Sequence, residues 1–224
     1  MRTVAALALT AGLLVGLPQA AHAQQSCNGD PATVVGTPGG VVVGTTGRDV
    51  VVTNGAASVD TLDGVDVVCV TGGVPTTMEG GPGRDRVVVA VPGGFVRMDL
   101  GAGTLSSGPG GDGSLTGFED ATVLAHGALV GGTSGPNDIR WNLCTGTITA
   151  QRGSDKVTWA GGEDLCVAGD QRTWGAFGGG GQDLLIGSPW ADTLVGGRGH
   201  DVGDGRGGFD RCRVEVARNC ESDR

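Results

Sequence analysis

The apolar residues of this chain fall in short β-branched runs rather than at helical spacing. VVVG at 41–44, DVVV at 49–52, DVVCV at 66–70 and RVVVAV at 86–91 are separated by glycine, threonine, asparagine and aspartate. Runs of this length bounded by turn residues predict strands, and no stretch repeats its apolar positions as an amphipathic helix would. FVRMDL at 95–100 and LTGFEDATV at 115–123 continue the strand pattern, while the glycine-rich GAGTLSSGPGGDGSLTG at 101–117 reads as a flexible, turn-rich loop. The prediction is an all-β chain of many short strands.

The pattern is most regular from Gly178 to Arg213, where GGGGQDLLI, GSPWADTLV, GGRGHDVGD and GRGGFDRCR follow one another without a gap. Each block of nine opens with glycine and carries aspartate at its sixth position: Asp183, Asp192, Asp201 and Asp210. Glycine permits the tight turn, and the last three residues are extended. With position eight facing inward, the inward set is Leu185, Leu194, Gly203 and Cys212, and positions seven and nine face outward. So short a unit cannot bury its apolar residue alone, so successive blocks are expected to wind into a coil and stack.

An eroded copy of the unit precedes it. GTTGRDVVV at 44–52 holds Asp49, GVDVVC at 64–69 holds Asp66, and GGPGRDRVV at 80–88 holds Asp85, at spacings of 17 and 19 that straddle the length of two blocks. Farther on, Asp138 is a candidate start of renewed winding, and Asp155 and Asp164 lie nine apart.

These blocks resemble the RTX, or haemolysin-type, calcium-binding nonapeptide G-G-x-G-x-D-x-U-x, in which U is a large apolar residue. GGGGQDLLI and GGPGRDRVV match it throughout. The resemblance implies a parallel β-roll with two blocks per coil, so that Asp183 lies beside Asp201 on one edge and Asp192 beside Asp210 on the other. It further implies Ca²⁺ held between stacked turns by carboxylates and glycine-turn carbonyls. One site would use Gly178, Gly180, Asp183, Gly197, Gly199 and Asp201, and a second Gly187, Pro189, Asp192, Arg206, Gly208 and Asp210, with Asp85 a further candidate. Trp190 and Arg206 stand where the family pattern has glycine, and Gly203 and Cys212 replace its large inward residue, all of which weakens the second site.

Composition narrows the class. Residues 1–23 carry Arg2, an apolar run and Ala21-His22-Ala23, the marks of a secretory signal peptide, and no later segment suits a membrane span. The net charge is −9, which disfavours nucleic acid and anionic membranes and favours cations. Six cysteines, Cys27, Cys69, Cys144, Cys166, Cys212 and Cys220, suit disulfides in an exported chain. Sequential pairing is expected because each neighbouring pair brackets one coherent segment, and the wide spacings argue against a zinc site. The expected division is signal 1–23, degenerate repeats 24–90, a spacer 91–140, C-terminal repeats 141–213 containing the 178–213 roll, and a cap at 214–224.

His126 and His200 are the only histidines after residue 23, and no nucleophile elbow, zinc-protease or phosphate-loop motif is present, so an enzyme is not expected. Trp141, Trp159, Trp174 and Trp190 recur at about one coil, either filling a thin core or forming an exposed glycan platform. The expectation is a secreted Ca²⁺-binding protein, its partner calcium and its further candidate partners a cell-surface glycan or protein. The alternative is an extracellular adhesion or glycan-binding module with calcium only as scaffold.

Overall fold

The valine runs become strands because each can bury alternate side chains only by lying flat against another strand. The computed structural model describes residues 25–170 and 172–221; the expected signal segment, 1–23, lies outside them. Among the described residues the only helical turn is a short 3-10 stretch, Gly108–Gly110. The strands form one long, mostly parallel sheet in which each pairs with the strand about two blocks away. Val34 pairs with Val51 and Val50 with Val67, 17 residues on, and Val67 with Arg86, 19 on. In the C-terminal part Leu184 pairs with Val202 and Thr193 with Arg211, both 18 on.

Two insertions break that spacing, and at the C-terminal end Val202 pairs with Val216, only 14 on. Arg86–Asp99 pairs with Asp120–Gly131 at a separation of 34 (Val87 with Ala121), because the chain between them adds an antiparallel hairpin, Thr104–Ser106 with Asp112–Thr116. The second arm of that hairpin continues the parallel sheet beside Thr77–Glu79. The expected flexible loop at 101–117 is therefore largely a paired hairpin. The second break is at Lys156, which pairs with Leu184, 28 on. Residues 160–172 form an excursion there, and Asp164 sits exposed in it, ion-paired with Arg172. The expectation that Asp164 continues the repeat is thus overturned, and Asp155 stacks directly on Asp183.

The core is a narrow row between strands. Leu185 and Leu194 are fully buried, Cys212 nearly so, and Gly203 lies in the same row, as the alternation requires. Toward the N-terminus Val42, Val51, Val59, Val68, Met78 and Val87 continue it. Val50–Val52 is buried at all three positions because its outer face is covered as well. The Ser26–Cys27 and Asp30–Pro31 hairpin lies there, tied down by Cys27–Cys69 and packing Val50, Val52, Val67 and Val88 into a second small core.

Cys144–Cys166 closes the 160–172 excursion and Cys212–Cys220 the C-terminal end, so pairing is sequential. Three disulfides place the folded chain in an oxidising compartment. Removing the inward side chain of one block should cost most where both neighbours are rigid strands. Leu194→Ala is expected to lower unfolding free energy by about 2–5 kcal/mol in urea denaturation. Val41→Ala, at an exposed position, should change it by less than about 0.5 kcal/mol.

Candidate functional site

Every nine-residue block ends its turn by burying an aspartate, and the structure shows what the carboxylate does. One oxygen accepts the backbone N–H of the aspartate in the preceding turn of the same edge. Asp49 N–H donates to Asp66 Oδ1 at 2.7 Å, and Asp66 N–H to Asp85 Oδ1 at 2.8 Å. Asp85 N–H then donates to Glu119 Oε2 at 3.0 Å. Farther along, the N–H groups of Asn137, Asp155 and Asp183 donate to Asp155, Asp183 and Asp201 at 2.8–2.9 Å, and Asp201 N–H to Glu215 Oε2 at 2.8 Å. The other edge carries a shorter series in which Trp174 Nε1 donates to Asp192, Asp192 N–H to Asp210 at 2.8 Å, and Asp210 N–H to Glu221. Asp183 thus lies beside Asp201 and Asp192 beside Asp210, the pairs expected from the repeat. Asn137, not Asp138, is the rung in its turn. Asp138 instead donates its N–H to Asp120 and directs its carboxylate to Arg86 and Arg140.

The second carboxylate oxygen divides the turns into two kinds. In Asp49 it accepts the N–H and hydroxyl of Thr45; in Asp192 it accepts the N–H of Ser188, while Asn137 Oδ1 accepts the N–H of Thr133. In Asp66, Asp85, Asp155, Asp183, Asp201 and Asp210 the Oδ2 atom is buried without a hydrogen-bond partner. The residue four positions earlier decides which occurs. Leu62, Gly81, Gln151, Gly179, Gly197 and Arg206, which precede the six unpartnered carboxylates, all have positive φ, from 64° to 109°. Thr45, Thr133 and Ser188 do not. A left-handed residue at the second position leaves its N–H unbonded to the carboxylate, whereas Ser or Thr with ordinary φ presents N–H to it.

Glycine is required at some of these turns for a further reason. A Cβ on Gly197 would stand 2.2 Å from the Gly179 carbonyl oxygen, and one on Gly199 would stand 1.5 Å from that of Gly181. The stacked turns touch through backbone, with carbonyls lying along the column beside the aspartates. Gly180 C=O receives the Gly153 N–H and keeps a second lone pair. Gly178 and Gly187 lie directly against the carboxylates of Asp183 and Asp192, while Gly208 abuts the backbone of Trp190.

Burial without compensation shifts these acids. Removal from water is the largest cause in each case, opposed by the backbone hydrogen bond and reinforced by neighbouring carboxylates. It pushes Asp85 and Asp155 up to about 7, Asp192 and Asp210 up to about 6, and Asp66 and Asp183 upward. The middle of the column has an internal cation that the sequence reading missed. Arg86, itself buried, pairs with Asp120 at 3.2 Å and Asp138 at 3.0 Å, and Arg84 pairs with Asp120 at 2.7 Å. Arg86 opens a strand, a position expected to face outward, so periodicity alone gave no signal for it.

The tryptophans do not form an exposed row. Trp141 and Trp174 are buried with ring centroids 3.5 Å apart, and the half-buried Trp159 and Trp190 meet edge to face at 5.9 Å. Of the two readings of the tryptophans, core filling holds for Trp141 and Trp174, and the four form no exposed glycan platform. Outside the aspartate columns, His126, Cys144 and Asp170 bring metal-ligand atoms together. Cys144 is consumed in a disulfide and supplies no thiolate. No helix among the described residues is long and apolar enough to cross a membrane. Comparison with protein-family models found no match, and comparison with curated proteins found none.

A carboxyl whose folded pKa is raised above its unfolded value contributes stability that is complete below the unfolded value near 4 and is lost as pH rises through the folded value. In chelator, the melting temperature should therefore be lower at pH 8 than at pH 5, the loss accruing from about pH 4 up to the folded values of about 6 to 7. Calorimetry at the two pH values measures it, and a higher melting temperature at pH 8 would show that the aspartates are not held this way.

Proposed function

We propose that this is a secreted calcium-binding protein of the RTX kind, a parallel β-solenoid whose Gly/Asp turns take up Ca²⁺ and complete folding on binding it. The observation that supports this is the set of six buried carboxylate oxygens without partners, each in a turn whose second residue has positive φ. Calcium is a hard cation that accepts six to eight oxygens at about 2.3–2.6 Å, and this column offers carboxylate and carbonyl oxygen. Where the fold supplies its own cation, at Arg86, or its own donors, at Thr45, Thr133 and Ser188, the acids are matched. At the six remaining turns they are not, and a divalent cation is the missing countercharge.

The best-fitting residues are Asp183 and Asp201, to which the resemblance adds the Gly178, Gly180, Gly197 and Gly199 carbonyls, then Asp85 with Asp66. Asp210 fits through its free oxygen. Asp192 fits least, since Ser188 and Trp174 already engage both its oxygens. Bound calcium would supply charge neutralisation, while the chain's own residues set the order of events. Disulfides fix the ends and the valine core forms. The carboxylates of the C-terminal blocks remain mutually repelling until the ion enters, which couples folding to calcium outside the cell. Extracellular modules typically bind at about 10⁻⁴–10⁻³ M.

The test is far-UV circular dichroism and thermal melting after EDTA treatment, with calcium returned by titration. A gain in β signal and a stabilisation of about 2.7 kcal/mol at calcium one hundred times the dissociation constant are expected. The Asp183→Ala, Asp201→Ala double variant should lose most of this response, whereas Asp49→Ala, in a turn closed by Thr45, should keep it. An unchanged spectrum with no bound calcium by metal analysis would overturn the proposal.

A further inference from the structure

The strands from Arg86–Asp99 to Arg211–Arg213 expose one broad face whose side chains fall into rows across the sheet. Pairing sets Arg97 beside Leu129, Leu129 beside Thr147, Thr147 beside Gly175, Gly175 beside Thr193 and Thr193 beside Arg211. This row runs straight across six strands, about 24 Å at the usual strand spacing of about 4.8 Å. Its middle is low, because Gly175 has no side chain and threonine is small. Two depressions of about 360 and 510 Å³ lie along it and share Thr147. Phe177, 37% accessible, and Phe209, 62%, wall the second depression, and Phe95, 40%, lies in the adjoining row beside Gly127.

We propose that this trough binds an extended acidic polysaccharide, a polyuronate chain, lying across the strands. Three features select that class. Flat phenyl faces beside a line of hydroxyls match the alternating apolar and hydroxyl surfaces of a sugar, and Thr145 and Thr173 add further hydroxyls in the adjoining row. A peptide would instead seek a sheet edge, where backbone groups are open; a sheet face offers side chains only. The charge on this face also runs against that of the molecule. In a chain of net charge −9, Arg97 stands at one end of the row and Arg213 at the far end of the next. Asp99, at the corner beside Gly131, is the one acid facing outward in these rows. Cations separated by this distance suit a polymer with repeated carboxylates better than a single small anion. Arg97 lies over the Phe95 ring at 5.4 Å, which holds it along the trough.

This inference does not rest on calcium binding: Arg97 and Thr147, the residues varied in its test, lie outside the aspartate columns, while Asp192 and Trp174 of the shorter column line only the second depression. The test uses oligogalacturonates too short to gel with calcium, measured by calorimetry in calcium and again in EDTA, beside neutral cello-oligosaccharides. Thr147→Trp fills the trough and Arg97→Ala removes one terminal cation. Melting temperature and circular dichroism of each variant establish that the fold is intact. Binding to the acidic oligomer that weakens with salt, falls about tenfold in either variant and exceeds binding to the neutral oligomer is expected. Absence of binding by the folded protein, equal binding to the neutral oligomer, or binding indifferent to Thr147→Trp would each overturn it. A protein unable to fold in EDTA but binding in calcium would support the trough and the calcium reading separately, through different variants.

Discussion

One hydrogen bond per turn, from the backbone N–H of an aspartate to the carboxylate one turn ahead, is the constraint on which the rest depends. It asks for a side chain short enough to fold back under its own turn and to accept from the turn behind, and aspartate at the sixth position does both. A charge-assisted bond of this kind contributes roughly 1.5–3 kcal/mol, but each is bought with a buried carboxylate. The column is therefore stable only to the extent that its charge is answered. Arg84 and Arg86 answer it in the middle and threonine or serine in three turns. In the C-terminal blocks along the Asp183 edge nothing within the chain does.

The second residue of the turn sets two requirements against each other. A left-handed residue there lets turns stack through bare backbone, which is why Gly179 and Gly197 sit with a carbonyl where a Cβ would go. The same conformation takes the N–H away from the carboxylate. Serine or threonine restores that bond. Leu62, Gln151 and Arg206 hold positive φ despite having side chains, a strained state of about 1–3 kcal/mol each. Chains do not carry that strain where an ordinary turn would serve, so the left-handed turn is itself part of what the position has to provide.

Much of this was legible because a period of nine is a geometric statement. The inward row follows from that spacing, while the opposition of Asp183 to Asp201 and of Asp192 to Asp210 was implied by the resemblance to the calcium-binding nonapeptide, and the sequential disulfides by each pair bracketing one coherent segment. What escaped the reading did so for identifiable reasons. Insertions of 101–117 and 160–172 keep strand register while destroying sequence register, so Asp155 meets Asp183 and Asp164 meets nothing in the column. Asn137 serves as a rung because its N–H reaches Asp155, its oxygen takes the Thr133 N–H as Asp49 takes that of Thr45, and its amide N–H meets the Glu119 carbonyl behind; a search for aspartates passes over it. Val50–Val52 looks half-exposed until a hairpin tied by Cys27 covers its outer face. The closed turns at Asp49 and Asp192 were visible as Thr45 and Ser188, yet their effect depends on φ, which a sequence does not display.

The column also has a polarity that explains its ends. Each rung gives an N–H forward and receives one from behind, so the first rung needs a donor and the last an acceptor. At the start the donors are side chains: Thr33 Oγ1 reaches Asp49 at 3.1 Å, and the Trp174 indole reaches Asp192. At the finish there is no further aspartate turn, and the two remaining N–H groups, at Asp201 and Asp210, are met by Glu215 and Glu221. Glutamate is one carbon longer, enough to reach across from a segment that has left the nine-residue pattern. Glu119 does the same where the hairpin interrupts the column. The charged tail is thus a terminator whose two glutamates, Glu215 and Glu221, are fixed by the N–H groups of Asp201 and Asp210 before it, and Cys212–Cys220 holds it where they require.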